Sequence, residues 1–223
     1  MLSLLSKGLV VFRKDLRLEF RSLYALNAIG LFAVTTITAV SFSLGPVRLE
    51  PNILAALFWV VIFFSAMSGL AHVFIREEEQ DTGDMLRLVF PPNAVLVGKW
   101  LFNIVLLGGL CLLIIPLFVI MLGAEVGNWP AMLAMTASGV FAMATVSTVI
   151  AAIIALSGSR GALFAVMTFP VALPVLMTAI HGTRVALEGG QLADCGNDLK
   201  VLFSFTIVIM TVGFLLFETI WRK

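Results

Sequence analysis

Apolar residues follow two different rules along this chain. At the N-terminus they recur at steps of three or four, at Leu2, Leu5, Leu9, Phe12, Leu16 and Phe20, which places them in one stripe on a helix. Lys7, Arg13, Lys14, Arg17 and Arg21 fill the remaining surface, opposed only by Asp15 and Glu19. Beyond residue 22 the periodicity disappears and long apolar runs replace it, at about 23–44, 53–75, 94–122, 131–156, 162–180 and 201–221. At about 1.5 Å rise per residue, a run of about 20 residues crosses a bilayer core of about 30 Å. The runs lack the alternation of a barrel strand, and an open strand would leave backbone groups unpaired in lipid. The pattern therefore predicts an all-α integral membrane protein with six transmembrane helices. It divides into 1–22, an amphipathic interfacial helix, and 23–223, a six-span membrane unit.

The residues within the runs predict how they pack. Gly108-Gly109 and Pro116 in the third span point to a bend or a close helix contact. The fourth span, rich in Ala, Ser, Thr and Gly, is expected to pack against neighbours and not lipid. The fifth carries Pro170 and Pro174, and the segment 182–199 that follows has room for a re-entrant or surface helix. Trp59, Trp100, Trp129 and Trp221 fall near expected span ends, as an aromatic belt would place them.

Composition changes this picture little. Hydrophobic residues make up 61% of the chain, beyond what a soluble domain can cover with polar surface, and the net charge of +1 gives no argument for nucleic acid. Cys111 lies in an apolar run and Cys195 in a polar segment, so two unpaired thiols are expected. No cleavable leader is evident. The basic residues orient the spans. With the N-terminus in the cytoplasm, Lys7, Arg13, Lys14, Arg17, Arg21, Arg76, Arg87, Lys99, Arg160, Arg222 and Lys223 lie inside. That leaves three of the 14 outside, Arg48, Arg184 and Lys200. Both termini are then cytoplasmic. Arg13, Lys14, Arg17 and Arg21 are candidates for the lipid headgroup interface, and a plain basic flank on the first span is the simpler reading of the same residues.

Charge concentrates in one stretch, 76–92, where Glu77, Glu78, Glu79, Asp81 and Asp84 stand among Arg76 and Arg87. Its register does not suit a calcium loop. Its second half, Met85, Leu86, Leu88, Val89 and Phe90 before Pro91-Pro92, carries more apolar surface than a solvated loop needs. The stretch reads as a cytoplasmic handle for another protein. Elsewhere the chemistry is sparse. Gly98-Lys99 lacks the glycine spacing of a phosphate-cradling loop, so nucleotide energy would come from another polypeptide, and nothing resembles an enzyme site. His72 and His181 could each ligate haem iron or a metal, but they fall on opposite sides of the membrane. Glu218, inside the sixth span, is read as a structural acid paired with Arg222.

The order Phe74-x-Arg76-Glu-Glu-x-Gln-Asp81-x-Gly83 … Leu88 … Pro91, then Gly98-Lys99, resembles the loop after span two in ABC export permeases. Among those it looks most like the CcmB family, haem exporter protein B of cytochrome c maturation. The amphipathic N-terminal helix, Ser43-Leu-Gly-Pro46 closing the first span and the fifth-span prolines are also similar, so the resemblance covers nearly the whole chain. Thr82 before the glycine, and Asp84-Met85 where Leu-Glu is usual, depart from it. The resemblance implies the permease subunit of an ABC complex in the bacterial inner membrane. A separate ATPase, the A subunit, would hydrolyse ATP and grip the coupling loop, 76–93, at Arg76, Glu77, Glu78, Gln80, Asp81, Gly83, Leu86, Leu88 and Pro91. The C and D membrane subunits would be further partners, a haem chaperone an indirect one, and a homodimer is compatible with it. Haem would be cargo and not a bound cofactor. The subunit could conduct haem or transmit the motion that releases a haem-loaded chaperone, and the lack of a tryptophan-rich platform favours transmission. An exporter of lipid, polysaccharide or drug, and a non-transporting scaffold, would share the span pattern.

Overall fold

The computed structural model describes residues 4–45, 47–70, 88–156 and 162–221. Among them are seven helices and no strand: α1 (Leu4–Ser22), α2 (Tyr24–Leu44), α3 (Pro51–Gly69), α4 (Pro92–Leu122), α5 (Trp129–Leu156), α6 (Ala162–Leu187) and α7 (Gly196–Trp221). All but α1 are long and apolar enough to span a membrane, and the protein is an all-α integral membrane protein. Successive spans reverse direction, so the bundle has a near end, where α1 lies and α4 begins, and a far end with the connections 45–50, 123–128 and 188–195.

Proline and asparagine set the helix starts. Pro51 and Pro92 open α3 and α4, where the missing N–H is no loss and the fixed φ already suits a helix. Asn128 Oδ1 accepts from Ala131 N at 3.1 Å, a side-chain cap that starts α5 two residues earlier than its apolar run. Pro116, Pro170 and Pro174 lie inside α4 and α6, each of which runs through as one helix.

The small-residue helix is the centre of the bundle. In its most apolar window α5 is 78% buried, against 17% for α2 and α7, and it packs on α4, α6 and α7. Glycine and hydroxyl residues permit this, because association in lipid rests on close approach and not on hydrophobic collapse. Gly139 is covered by the Trp59 indole of α3, and a Cβ at Gly213 of α7 would stand 2.6 Å from Val149 Cγ2. Of the bend or close contact expected at Gly108-Gly109, the contact is not made, since a Cβ added at either would meet nothing within 4 Å among the described residues. Close approach instead occurs where a glycine meets a bulky group of another helix.

Two further expectations are corrected. Segment 182–199 holds no separate helix, because α6 continues to Leu187 and α7 already begins at Gly196. Arg184 Nε reaching Glu188 Oε1 at 3.4 Å, one turn apart, supports the added length. Trp59 and Trp100 are not belt residues. Trp59 is fully buried and its indole N–H donates to Thr183 Oγ1 at 2.8 Å. Trp100 donates to Thr145 Oγ1 at 2.8 Å and meets Phe141 edge to face at 5.0 Å. An indole in the interior must place its N–H on an acceptor, and α5 and α6 supply one each. Trp129, at the start of α5, remains exposed.

Candidate coupling site

Of the loop residues singled out above, Arg76, Glu77, Glu78, Gln80, Asp81, Gly83 and Leu86 lie outside the described residues, as does His72. The described part begins where the loop meets α4. Leu88 is 87% exposed and Val89 65%, an apolar step that the described residues leave uncovered, while Phe90 turns in against the core. Pro91 is the extended N-cap of α4, and its carbonyl accepts from Ala94 N at 3.0 Å. Ala94, Val95 and Leu96 are fully buried immediately afterwards. Within two turns the chain passes from open surface to the interior.

Against this first part of α4 lies α1. The stripe it buries is Gly8, Val11, Asp15 and Glu19, three to four residues apart on one face. Leu5, Leu9 and Phe20 of the apolar stripe are exposed, with Arg13, Arg17 and Arg21 also outward and Lys14 half-exposed. Phe12 and Leu16 are partly buried against the core. So α1 is more than a helix on a surface: its apolar and basic sides face out, and its small and acidic side packs on α4.

Glycine makes the crossing close. A Cβ at Gly98 would stand 2.7 Å from the Gly8 carbonyl oxygen and 2.7 Å from Val11 Cβ, and one at Gly8 would stand 3.2 Å from Val97 Cγ1. Lys99, next to Gly98, is fully buried and places its Nζ 3.6 Å from Asp15 Oδ2. Lys14 Nζ takes the other oxygen of Asp15 at 3.2 Å. One turn further along α1, Glu19 Oε1 accepts from Leu26 N at 3.0 Å, an otherwise unsatisfied donor at the start of α2. The corner between the two helices turns at Leu23, a left-handed residue with φ 52°. The two inward carboxylates of α1 thus hold the first turns of α2 and α4.

From α4 the contact passes to α5. Trp100 and, three residues on, Asn103 donate to Thr145 and Thr148, each at 2.8 Å, two rungs joining the same faces of the two helices. The sequence places Gly98-Lys99 in the resemblance motif, sets Lys99 on the cytoplasmic side and excludes a nucleotide loop, but it does not show these packing roles. The available signals were that Lys99 is the sole charge in the 31 residues of α4 and that Asp15 and Glu19 are the only acids on a basic helix.

The far end is joined differently. Gly127 N donates to Leu187 O at 3.2 Å and Asn128 N to Ala186 O at 2.9 Å, and Gly189, at φ 88°, lies against Gly127. His181 Nδ1 is 2.9 Å from Asp198 Oδ2, joining α6 to α7, and Cys195 Sγ donates to Gly182 O at 3.5 Å. Both cysteines are free and buried. Burial, then the charges of Asp198 and Asp194, raises the Cys195 pKa above the ordinary thiol value. Glu218 is half-buried near the end of α7, and Arg222, its expected partner, lies outside the described residues.

The family model described as CcmB protein matches residues 6–219, from the buried face of α1 to the last turn of α7. The chain belongs to the CcmB family. No curated protein matches it. Membership in CcmB implies a haem-exporter ABC permease of cytochrome c maturation, a transport subunit that works with an ATPase and other maturation components. The match includes α1, so the α1–α4 crossing lies within the family unit.

Proposed function

We propose that this protein is the permease subunit through which a separate ATPase drives haem delivery for c-type cytochrome assembly, from the inner membrane and with both termini in the cytoplasm. The ATPase docks on the loop 76–92, with Arg76, Glu77, Glu78, Gln80, Asp81 and Gly83 as the polar part of the grip and Leu86, Leu88 and Pro91 as the apolar part. The observation that carries this reading is the exposed Leu88-Val89 step leading straight into the buried start of α4. A partner that covers this step acts on a spanning helix with no slack between. Outward Arg13, Lys14, Arg17 and Arg21 of α1 meet lipid phosphates beside it.

The subunit transmits motion that frees a haem-loaded chaperone from the neighbouring C and D subunits, and haem itself passes elsewhere. Supporting this, Trp59 is fully buried and Trp100 is tied to Thr145 and Phe141, so the two do not join exposed Trp129 in a platform for a porphyrin. Replacing Glu77, Glu78 and Asp81 together by Lys reverses the charge of the handle. The triple variant is expected to insert normally and to lose the ATPase on copurification from native membranes. Undiminished capture would defeat the reading. A haem spectrum of the captured complex separates this cargo from a lipid, polysaccharide or drug.

A further inference from the structure

The loop is one contact between the permease and the part of the molecule that moves. The structure contains a second, at the crossing of α1 and α4. Lys99 is fully buried, the Asp15 side chain is 10% exposed, and the two are 3.6 Å apart. Asp15 also holds Lys14 at 3.2 Å, and replacing a buried ion pair with apolar groups of similar size is often neutral. Stability alone therefore does not explain an ion pair here. An apolar seam resists separation but permits sliding, one residue of slide along a helix being about 1.5 Å. A buried pair has a single register. Around it the Gly8–Gly98 approach sets the depth of the crossing, and Glu19 on Leu26 N sets where α1 ends against α2.

We propose that Asp15 and Lys99 are positioning residues for coupling: they pin the register of α1 on α4, so that a displacement of the loop moves both helices as one body and reaches α2 and α5. This rests on the functional reading above. It adds that α1 is part of the moving assembly and not a membrane anchor alone. The pin works by holding geometry, so its removal should lower the work obtained from each ATP before it lowers folding or ATPase capture.

The test uses the complete membrane complex, reconstituted with its ATPase, and compares ATP hydrolysed with haem-loaded chaperone released. D15L/K99M, an apolar pair of similar bulk, should fold, capture the ATPase and hydrolyse ATP, yet release roughly tenfold less haem-loaded chaperone per ATP, within the range seen for coupling residues. The exchange D15K/K99D should restore most of the ratio. Wild-type release per ATP in D15L/K99M overturns the proposal, as does an exchange variant that folds but releases no more than the apolar pair. If the wild-type complex captures no ATPase, the functional reading itself fails and the pin falls with it.

Discussion

The two ends of the bundle are closed by different chemistry. At the far end the connections lock through main-chain hydrogen bonds, Gly127 N to Leu187 O and Asn128 N to Ala186 O, with two glycines in backbone contact. At the near end α1 is held by side chains, one ion pair and one capping carboxylate, across a glycine crossing. Main-chain bonds between loops leave few alternative arrangements, because each donor and acceptor is fixed in the chain. The near end depends instead on a few side-chain groups that tie α1 to α4 and α2, so it is the end where a single substitution can uncouple one helix from the rest.

The largest effect is expected at the far end. Gly127→Ala would bring a Cβ to 2.5 Å from both Gly189 Cα and N. Backbone has nowhere to retreat, so about 3 kcal/mol, the upper part of the overpacking range, is expected. It should appear as a lower thermal midpoint for the whole solubilised protein. An unchanged midpoint would mean that the far end is loose and the contrast false. Gly98→Ala meets the Gly8 carbonyl and Val11 at 2.7 Å, but α1 can lift away. About 1–2 kcal/mol is expected, confined to α1 and read as faster hydrogen exchange there at an unaltered global midpoint. Loss of the whole fold would make α1 part of the core and not a pinned lever.

The smallest effect sharpens the far end. Asp198→Asn removes the partner of a half-exposed His181, worth under about 1 kcal/mol. It also removes one of two charges that raise the Cys195 pKa. Thiolate then forms at lower pH, so the pH at which the ultraviolet absorbance of the Cys195 thiolate appears, read against a Cys195→Ser control, should fall. Burial, the first cause, persists, and the shift should be partial. A thiolate absorbance indifferent to Asp198 would contradict the arrangement.

Six spans were legible in the sequence because length and hydropathy alone decide whether a helix can cross a bilayer. Faces were harder, because lipid reverses the inside-out rule of soluble proteins. On α1 the apolar Leu5, Leu9 and Phe20 stay exposed while Asp15 and Glu19 turn inward. Trp59 gives no sign in its own segment of whether it will be belt or core, since its acceptor, Thr183, comes 124 residues later. The end of α6 was misjudged at 180 because His181, Thr183 and Arg184 read as loop, whereas they form the helical turns that carry the far-end main-chain bonds. Gly108-Gly109 illustrates the same limit: a pair of glycines permits a close contact, and whether one is made depends on what the facing segment brings to it.

Buried Lys99 also constrains how the protein is made. The acid of α1 is synthesised about 84 residues before the lysine it will meet, an interval of roughly 4 to 17 s at ordinary rates of translation. During that time α1 lacks its seat on α4 and Asp15 has only water and neighbouring cations such as Lys14, while Glu19 can already accept from Leu26 N of α2. A helix that can rest on the membrane by its outward basic and apolar sides is retained beside the growing chain. When α4 arrives, Lys99 comes to lie 3.6 Å from Asp15, so α1 takes its place on α4 together with the third span and not before it.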